Sequence, residues 1–98
     1  MNETVQAIIA KQEAANIAAE AKRPQPSARD VADTAAYLRR WSRGKPIRRQ
    51  SDGSTFWACG RTMTKLDFKM AQALAAAGLA DLTGDGKTSG STLRIKTL

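Results

Sequence analysis

The sequence of 98 residues predicts an α+β fold. Three stretches rich in Ala and in long or charged side chains have the composition or the spacing of helices. Two pairs of short β-prone runs each flank a turn that contains Gly, which is the pattern of β-hairpins. A chain of this length has room for one domain with a modest core, since it buries roughly 60–68% of its extended surface on folding.

The first predicted helix covers residues 3–21, which are rich in Ala, Glu, Gln and Lys and contain no Gly or Pro. Its large apolar residues are few: Val5, Ile8, Ile9 and Ile17. Such a helix is marginal in water when it has nothing to pack against. We therefore expect an N-terminal helical arm, and the alternative is an element that binds a protein partner or forms a homodimer.

The net charge lies entirely outside this arm. Residues 1–26 balance three Lys/Arg against three Glu, whereas residues 27–98 hold thirteen Lys/Arg and six Asp, and that difference is the whole formal net charge of +7. Pro24 and Pro26 bias the residues before them toward extended backbone and mark a linker. The chain is thus predicted to consist of an arm with its linker over residues 1–26 and a basic domain over residues 27–98.

The second helix is predicted to begin after Ser27, because Ser27 and Asp30 have the spacing of an N-terminal capping box. Gly44 and Pro46 supply its stop. Its inward-facing stripe has helical spacing: Val31, Ala35, Leu38 and either Trp41 or Ser42.

The end of this helix runs into a polybasic segment. Between Arg39 and Arg49 the chain reads RRWSRGKPIRR, with six positive charges, and no carboxylate occurs from Thr34 to Ser51. Repulsion among these cations favours a polyanionic partner, and a phosphate backbone is the natural one. Two other interpretations stay open: a solvated surface that keeps the protein soluble, and arginines that complement the helix dipole.

The first predicted hairpin joins residues 47–50 and 55–59 through a turn at residues 51–54, where Asp-Gly is a strong turn signal. Because side chains alternate along a strand, Arg48 and Arg49 must lie on opposite faces. We expect Phe56 and one of the two tryptophans to pack in the core. The alternative is that these aromatic rings stack on bases of RNA or of a single strand.

The third helix is predicted over residues 65–77, with Thr64 as its N-cap and Gly78 as its stop. Its inward stripe is Leu66, Met70, Leu74 and Ala77, and its opposite stripe is Lys65, Lys69, Gln72 and Ala76. A second hairpin follows, with strands at residues 79–82 and 91–98. Its tip holds Lys87, and Arg94 and Lys96 alternate with the apolar Leu93 and Ile95.

The segment LAAAGLADLTGDGKTSGSTLRIKTL resembles the end of a winged helix-turn-helix DNA-binding domain. In that family a Gly stops the recognition helix, the next Leu returns to the core and a basic residue occupies the wing tip, and Gly78, Leu79 and Lys87 fit these places. As an order of elements the resemblance covers residues 31–98. The chain departs from the family at residues 45–63, which have the features of a hairpin where a second helix is usual.

The resemblance implies a small winged-helix-like domain with two β-hairpins, preceded by the arm. It implies that Lys65, Lys69 and Gln72 face the major groove of duplex DNA, and that Lys87, Arg94 and Lys96 touch the flanking backbone or the minor groove. The polybasic segment would then hold phosphates through Arg39, Arg40, Arg43, Lys45, Arg48 and Arg49.

The composition argues against an enzyme. The chain has no histidine and one cysteine, Cys59, so it lacks the commonest general base, a thiol with a histidine partner and a cysteine pair for zinc. We expect no metal, no cofactor, no disulfide within the chain and no membrane span, and a reducing, cytoplasmic setting.

The sequence thus predicts a small non-enzymatic nucleic-acid-binding protein, most readily a duplex-DNA-binding regulator or accessory factor. The alternative is a protein-interaction module, such as an inhibitor of the phage or mobile-element type, that binds an acidic or nucleic-acid-binding surface of a larger complex.

Overall fold

The structure is a computed structural model that describes residues 2–51 and 55–97. These residues form helices and strands in the order α1 (Asn2–Ala21), α2 (Ala28–Ser42), β1 (Ile47–Arg49), β2 (Phe56–Cys59), β3 (Thr62–Lys65), α3 (Phe68–Ala76), β4 (Ala80–Thr83) and β5 (Thr92–Ile95). The strands make one antiparallel sheet in the order β3-β2-β1-β5-β4. The predicted α+β class is confirmed. None of the described helices is long and apolar enough to cross a membrane.

Both predicted hairpins are present. Arg48 pairs with Ala58 between β1 and β2, and Asp81 pairs with Arg94 between β4 and β5. The two hairpins are joined side by side, because β1 also pairs with β5. The predicted turn at residues 51–54 lies mostly outside the described residues, as does the last residue of the predicted final strand.

One face of the sheet is covered by α2 and α3, and the core lies between these layers. The α2 stripe has the predicted spacing, and its helix starts as expected, since the Ser27 Oγ accepts a hydrogen bond of 3.1 Å from the Asp30 N–H. The buried apolar residues of the core are Val31, Ala35, Leu38, Ile47, Trp57, Leu66, Ala71, Leu74, Ala80, Leu93 and Ile95.

Trp57 and Phe56 are adjacent on β2 and therefore point to opposite faces. Trp57 is fully buried, and its Nε1–H donates to the Leu66 carbonyl oxygen at 3.0 Å. Phe56 is 44% exposed on the other face, so the expectation that it packs in the core is wrong. The pleat allows only one of two consecutive rings to reach the core.

The third helix begins later than predicted, at Phe68 instead of residue 65. Its N-cap is Asp67, whose Oδ1 accepts a hydrogen bond of 2.8 Å from the Met70 N–H. Residues 62–65 pair with all four residues of β2 and form a strand that the sequence does not predict. Lys65 therefore belongs to β3 and not to α3.

Helix α1 is docked on the domain along one face. Glu20, near its end, is 2% exposed and forms an ion pair of 2.7 Å with Arg49 of β1. Glu13 lies about two helical turns earlier on the same side of α1, and its carboxylate accepts a hydrogen bond of 3.4 Å from the Ser89 hydroxyl. The neighbouring face at the start of the helix is open, since Val5 and Ile8 are 57% and 59% exposed.

Candidate nucleic-acid interface

The face of the sheet opposite α2 and α3, which we call the outer face, carries three of the predicted cations. Arg48, Lys65 and Arg94 are exposed there, because each alternates with a strand residue that points inward. Phe56 and Met63 lie on the same face. The register places these cations on a diagonal from β3 through β1 to β5.

The diagonal is about 20 Å long from Lys65 to Arg94, given a strand spacing of ~4.8 Å and a rise of ~3.3 Å per residue. This length corresponds to about six phosphates along one strand of a duplex. Asp81, which pairs with Arg94 in register, places one carboxylate at the β4 edge of the same face.

The β5 end of the diagonal opens into a cleft of about 590 Å³, which we call the basic cleft. It lies where the end of α2 meets β4 and β5, and it is lined by Arg43, Gly44, Asp81, Arg94, Ile95, Lys96 and Thr97. The Lys96 Nζ is 3.8 Å from an Asp81 oxygen, but both side chains are more than half exposed. Such a surface pair is weak, so most of the positive charge of the cleft remains available to an anion.

Two arginines are positioned in the same way: Arg94, which lines the basic cleft, and Arg39 of α2, which contacts the backbone of the cleft residue Lys96. The Arg94 Nε–H donates to the Gly44 carbonyl oxygen at 3.0 Å, and the Arg39 Nε–H donates to the Lys96 carbonyl oxygen at 3.1 Å. The terminal nitrogens of both side chains hydrogen-bond to no described residue. Each guanidinium is thus held on the protein by one nitrogen and presents the other two, the arrangement that suits bidentate binding of a phosphate.

Arg43 reaches the basic cleft from an unusual backbone conformation. It is the C-cap of α2 with φ of 54°, and its N–H donates to the Arg39 carbonyl oxygen. This left-handed position ordinarily favours Gly, and a residue with a Cβ there costs about 1 kcal/mol. Arg43 therefore lines the basic cleft at a local cost in backbone free energy.

Arg49 lies inside the protein and not at the basic cleft. It is 1% exposed, and its terminal nitrogens donate to both Glu20 carboxylate oxygens at 2.9 and 2.7 Å and to the Gly86 carbonyl oxygen at 3.0 Å. Because side chains alternate along β1, the Arg49 side chain points into the core, away from the surface that we expected to bind phosphates. Its charge is neutralised inside the protein, and it joins α1 and the loop after β4 to the sheet.

The α3 residues expected to read the major groove make intramolecular contacts. The Lys69 Nζ donates to the Arg23 carbonyl oxygen at 2.6 Å, and the Gln72 Nε2 donates to the Asp85 carbonyl oxygen at 2.8 Å. The Phe68 N–H, in the first turn of α3, donates to Glu20 at 3.0 Å. The end of α1 therefore lies over the start of α3, where a groove-reading helix would meet DNA.

The tip of the second hairpin folds back toward α3. The Lys87 Nζ lies 5.0 Å from the centre of the Phe68 ring, a cation–π contact. The N–H groups of Thr88 and Lys87 donate to the Asp85 carboxylate, and these hydrogen bonds, that of Thr88 first, lower the pKa of Asp85 below its usual value. Lys87 thus closes an ordered loop instead of projecting from a free wing tip.

The two remaining predicted cations are exposed, and in the sequence they lie close to residues that line the basic cleft. Arg40 lies in the last turn of α2 and Lys45 in the loop before β1.

Cys59 is half-buried, with its Sγ 4.0 Å from the Ser42 carbonyl oxygen. Within the described ranges, no group of three or more His, Cys, Asp or Glu side chains is placed to hold a metal ion.

A second cleft was not anticipated from the sequence. It lies between α2, β3 and the start of α3 and includes Arg23, Thr34, Tyr37 and Lys65. The only local signal is that Thr34 and Tyr37 flank the inward stripe of α2 at helical spacing. Their partner strand was itself missed, so the cleft could not be assembled from the sequence.

Comparison of the chain with protein-family models, with curated proteins and with solved structures gave no match.

Proposed function

We propose that this chain is a non-enzymatic nucleic-acid-binding protein whose contact surface is the outer face together with the basic cleft. We call this surface the basic face and define it by six cations: Arg39, Arg43, Arg48, Lys65, Arg94 and Lys96. The observation that carries the proposal is the pair of arginines, Arg39 and Arg94, that are held through Nε and leave their terminal nitrogens unpartnered among the described residues.

The arrangement favours a phosphate backbone over a single small anion. Three of the cations, Lys65, Arg48 and Arg94, are spread over about 20 Å of the outer face, and a backbone supplies anions at regular intervals over that distance. Charged residues of both signs would be expected on a face that only keeps the protein soluble. Among the described residues, Asp81 is the one carboxylate that lines the basic cleft.

The contact mode differs from that of a helix in a groove. The face of α3 that the winged-helix resemblance assigns to bases is engaged by Arg23 and Asp85 carbonyl oxygens, and α1 lies over its first turn. Where the resemblance expects a second helix, the chain forms strands, β2 and β3 among them. We propose that backbone contacts across the basic face dominate, and that sequence reading by α3 is secondary.

A salt series tests the proposal. If the six cations each neutralise a phosphate, the slope of log affinity against log salt should be about −5.4 on duplex DNA and about −4.2 on a single strand. Fluorescence anisotropy with labelled duplex DNA, single-stranded DNA and RNA of equal length measures the slope and ranks the three partners. A slope near zero on all three would refute nucleic-acid binding.

Substitutions separate a built phosphate site from diffuse charge. Arg94→Gln should lower affinity at least about tenfold, as expected when a charged hydrogen bond is lost, and should reduce the duplex slope by about 0.9. Arg94→Lys should keep the slope but not the affinity, because lysine lacks the fork of donors. The control is Arg29→Gln, which removes the same charge from a side chain that is 91% exposed on α2. Equal effects of the Arg94 and Arg29 substitutions would contradict the assignment.

A protein-interaction module is the second candidate, and one observation favours it. Val5 and Ile8 are exposed on the open face of α1, which gives the chain an apolar patch away from the basic face. Val5→Asp with Ile8→Asp should then abolish capture of a protein from a nuclease-treated lysate. If capture depends instead on Arg94, the partner binds the basic face and the apolar patch is not the contact surface.

A further inference from the structure

The cleft between α2 and β3 has a volume of about 330 Å³, within the range of small-molecule sites. We call it the α2–β3 cleft. Its inner wall is apolar, since Leu38 and Leu66 are 1% and 6% exposed, and Met70 adds a thioether. Tyr37 lines it as well and is 50% exposed. A flat aromatic ligand can therefore lie on the Tyr37 ring and bury its other face against aliphatic groups.

Three hydroxyl groups also line the α2–β3 cleft, on Thr34, Thr55 and Thr64. None of these side chains hydrogen-bonds to another described residue. A hydroxyl can both donate and accept, so the three together can match a ring whose edge carries donors and acceptors side by side. Nucleobases have such edges, whereas a purely hydrocarbon ligand would leave these groups unpaired.

Two cations, Arg23 and Lys65, and two carboxylates, Glu20 and Asp67, also line the α2–β3 cleft, and the charge of Glu20 is neutralised by Arg49. Arg23 lies 3.5 Å from an Asp67 oxygen, but its side chain is 53% exposed, so the pair is weak and a phosphate can compete for it. Lys65 forms no ion pair with a described residue. The α2–β3 cleft thus combines an aromatic wall, hydroxyl groups and a lysine, Lys65, that has no ion-pair partner among the described residues.

We infer that the α2–β3 cleft binds one nucleotide, with its base on Tyr37 and its phosphate between Arg23 and Lys65. The inference rests on the proposed function, because Lys65 belongs to both the α2–β3 cleft and the basic face. Two sources supply the same chemistry: an unpaired nucleotide of a strand bound on the basic face, and a free nucleoside monophosphate.

Titration of the full-length protein with adenosine 5′-monophosphate, followed by amide NMR shifts, tests the site. The largest shifts should fall on residues 34–38 and 63–67. Adenosine and ribose 5-phosphate, each lacking half of the ligand, should bind more weakly than the nucleotide. Shifts confined to the basic cleft, or no shifts, would overturn the inference.

Variants of Tyr37 test the role of the ring. Tyr37→Ala should weaken nucleotide binding about 5- to 150-fold, the loss expected when one base–aromatic stack is removed. Tyr37→Phe keeps the ring and should stay within about threefold of the native protein. Arg29→Gln, on the same helix, is the matched control. Circular dichroism establishes that each variant is folded, and an unchanged affinity in folded Tyr37→Ala would refute the stacking role.

The two sources are distinguished by an oligonucleotide that carries one 2-aminopurine in a single-stranded stretch. If the base comes from a bound strand, the native protein should quench the emission of the 2-aminopurine and the Tyr37→Ala variant should not. If adenosine 5′-monophosphate binds but the emission is not quenched, the α2–β3 cleft binds free nucleotides. Arg94→Gln should weaken oligonucleotide binding and leave monophosphate binding unchanged. Oligonucleotide binding that depends on Arg94, with no monophosphate bound, would refute this inference and keep the proposed function. Monophosphate binding without oligonucleotide binding would refute the proposed function and keep the nucleotide site in the α2–β3 cleft.

Discussion

Stability should depend strongly on Glu20 and Arg49 being present together, because their ion pair is almost completely excluded from water. The side chains of Arg49 and Glu20 are 1% and 3% exposed. Glu20 accepts hydrogen bonds from two Arg49 nitrogens and from the Phe68 N–H, and Arg49 donates a third to the Gly86 carbonyl oxygen. Removing one partner leaves a buried charge without compensation, and this costs about 3–5 kcal/mol.

That cost is large for a chain of this size. A stability of about 0.05–0.15 kcal/mol per residue corresponds to about 5–15 kcal/mol in total. We expect Glu20→Gln and Arg49→Met each to lower the free energy of unfolding by about 3–5 kcal/mol. Glu20→Leu combined with Arg49→Met removes both charges, so it should cost much less than the sum of the single changes. Urea unfolding, followed by the fluorescence of the tryptophans, measures all three values.

The double-mutant cycle also reports on the arm. Glu20 is the link from α1 to β1 and to the first turn of α3, so a coupling free energy of several kcal/mol requires α1 to be docked in solution. If the single substitutions each cost less than about 1 kcal/mol and add independently, the pair is solvated and α1 is not held on the domain. That result would refute both the buried pair and the covering of α3 by α1.

Three further predictions follow from single side chains. Arg43→Gly should raise the free energy of unfolding by about 1 kcal/mol, because Gly relieves the left-handed backbone at φ of 54°, and should weaken nucleic-acid binding; loss of stability would contradict the backbone assignment. Ser42→Ala should be neutral or stabilise by up to about 1 kcal/mol in thermal unfolding, since the buried Ser42 Oγ has no hydrogen-bond partner among the described residues. Asp85→Asn should destabilise at neutral pH, because hydrogen bonds from the Thr88 and Lys87 N–H groups lower the pKa of Asp85 in the folded state. That stabilisation is complete above the unfolded pKa of about 3.9 and is lost as the pH falls through the lowered value, so native and variant stabilities should converge in acid.

Local signals in the sequence were sufficient to predict much of the fold. The start of α2 depends on Ser27 and a main-chain N–H three residues away, and the second hairpin on a Gly-containing turn between alternating residues. Strand β3 has no such signal, since four residues of mixed character become a strand only when β2 is beside them. The start of α3 then moves to Asp67, which is a better N-cap than the threonine that β3 has taken.

The site was harder to predict than the fold, because chemically identical arginines have different surroundings. Arg48 and Arg49 are neighbours in the sequence, yet the pleat places one on the outer face and the other in the core. What stabilises the buried one is Glu20, 29 residues away in a helix that the sequence described only as an arm. Within the polybasic segment only the apolar Ile47, two residues before Arg49 on the same strand face, distinguishes the two.

The polybasic segment becomes a structured surface only through pairing with the end of the chain. Strand β1 pairs with β5, and this brings Gly44 within hydrogen-bonding distance of Arg94, 50 residues later, and Arg39 within reach of the Lys96 carbonyl oxygen. The backbone carbonyls that position these two guanidinium groups therefore come from the opposite segment in each case. Neither segment alone can supply both the charge and the acceptor that orients it, so binding by the basic face is expected to depend on the folded sheet and not on net charge alone.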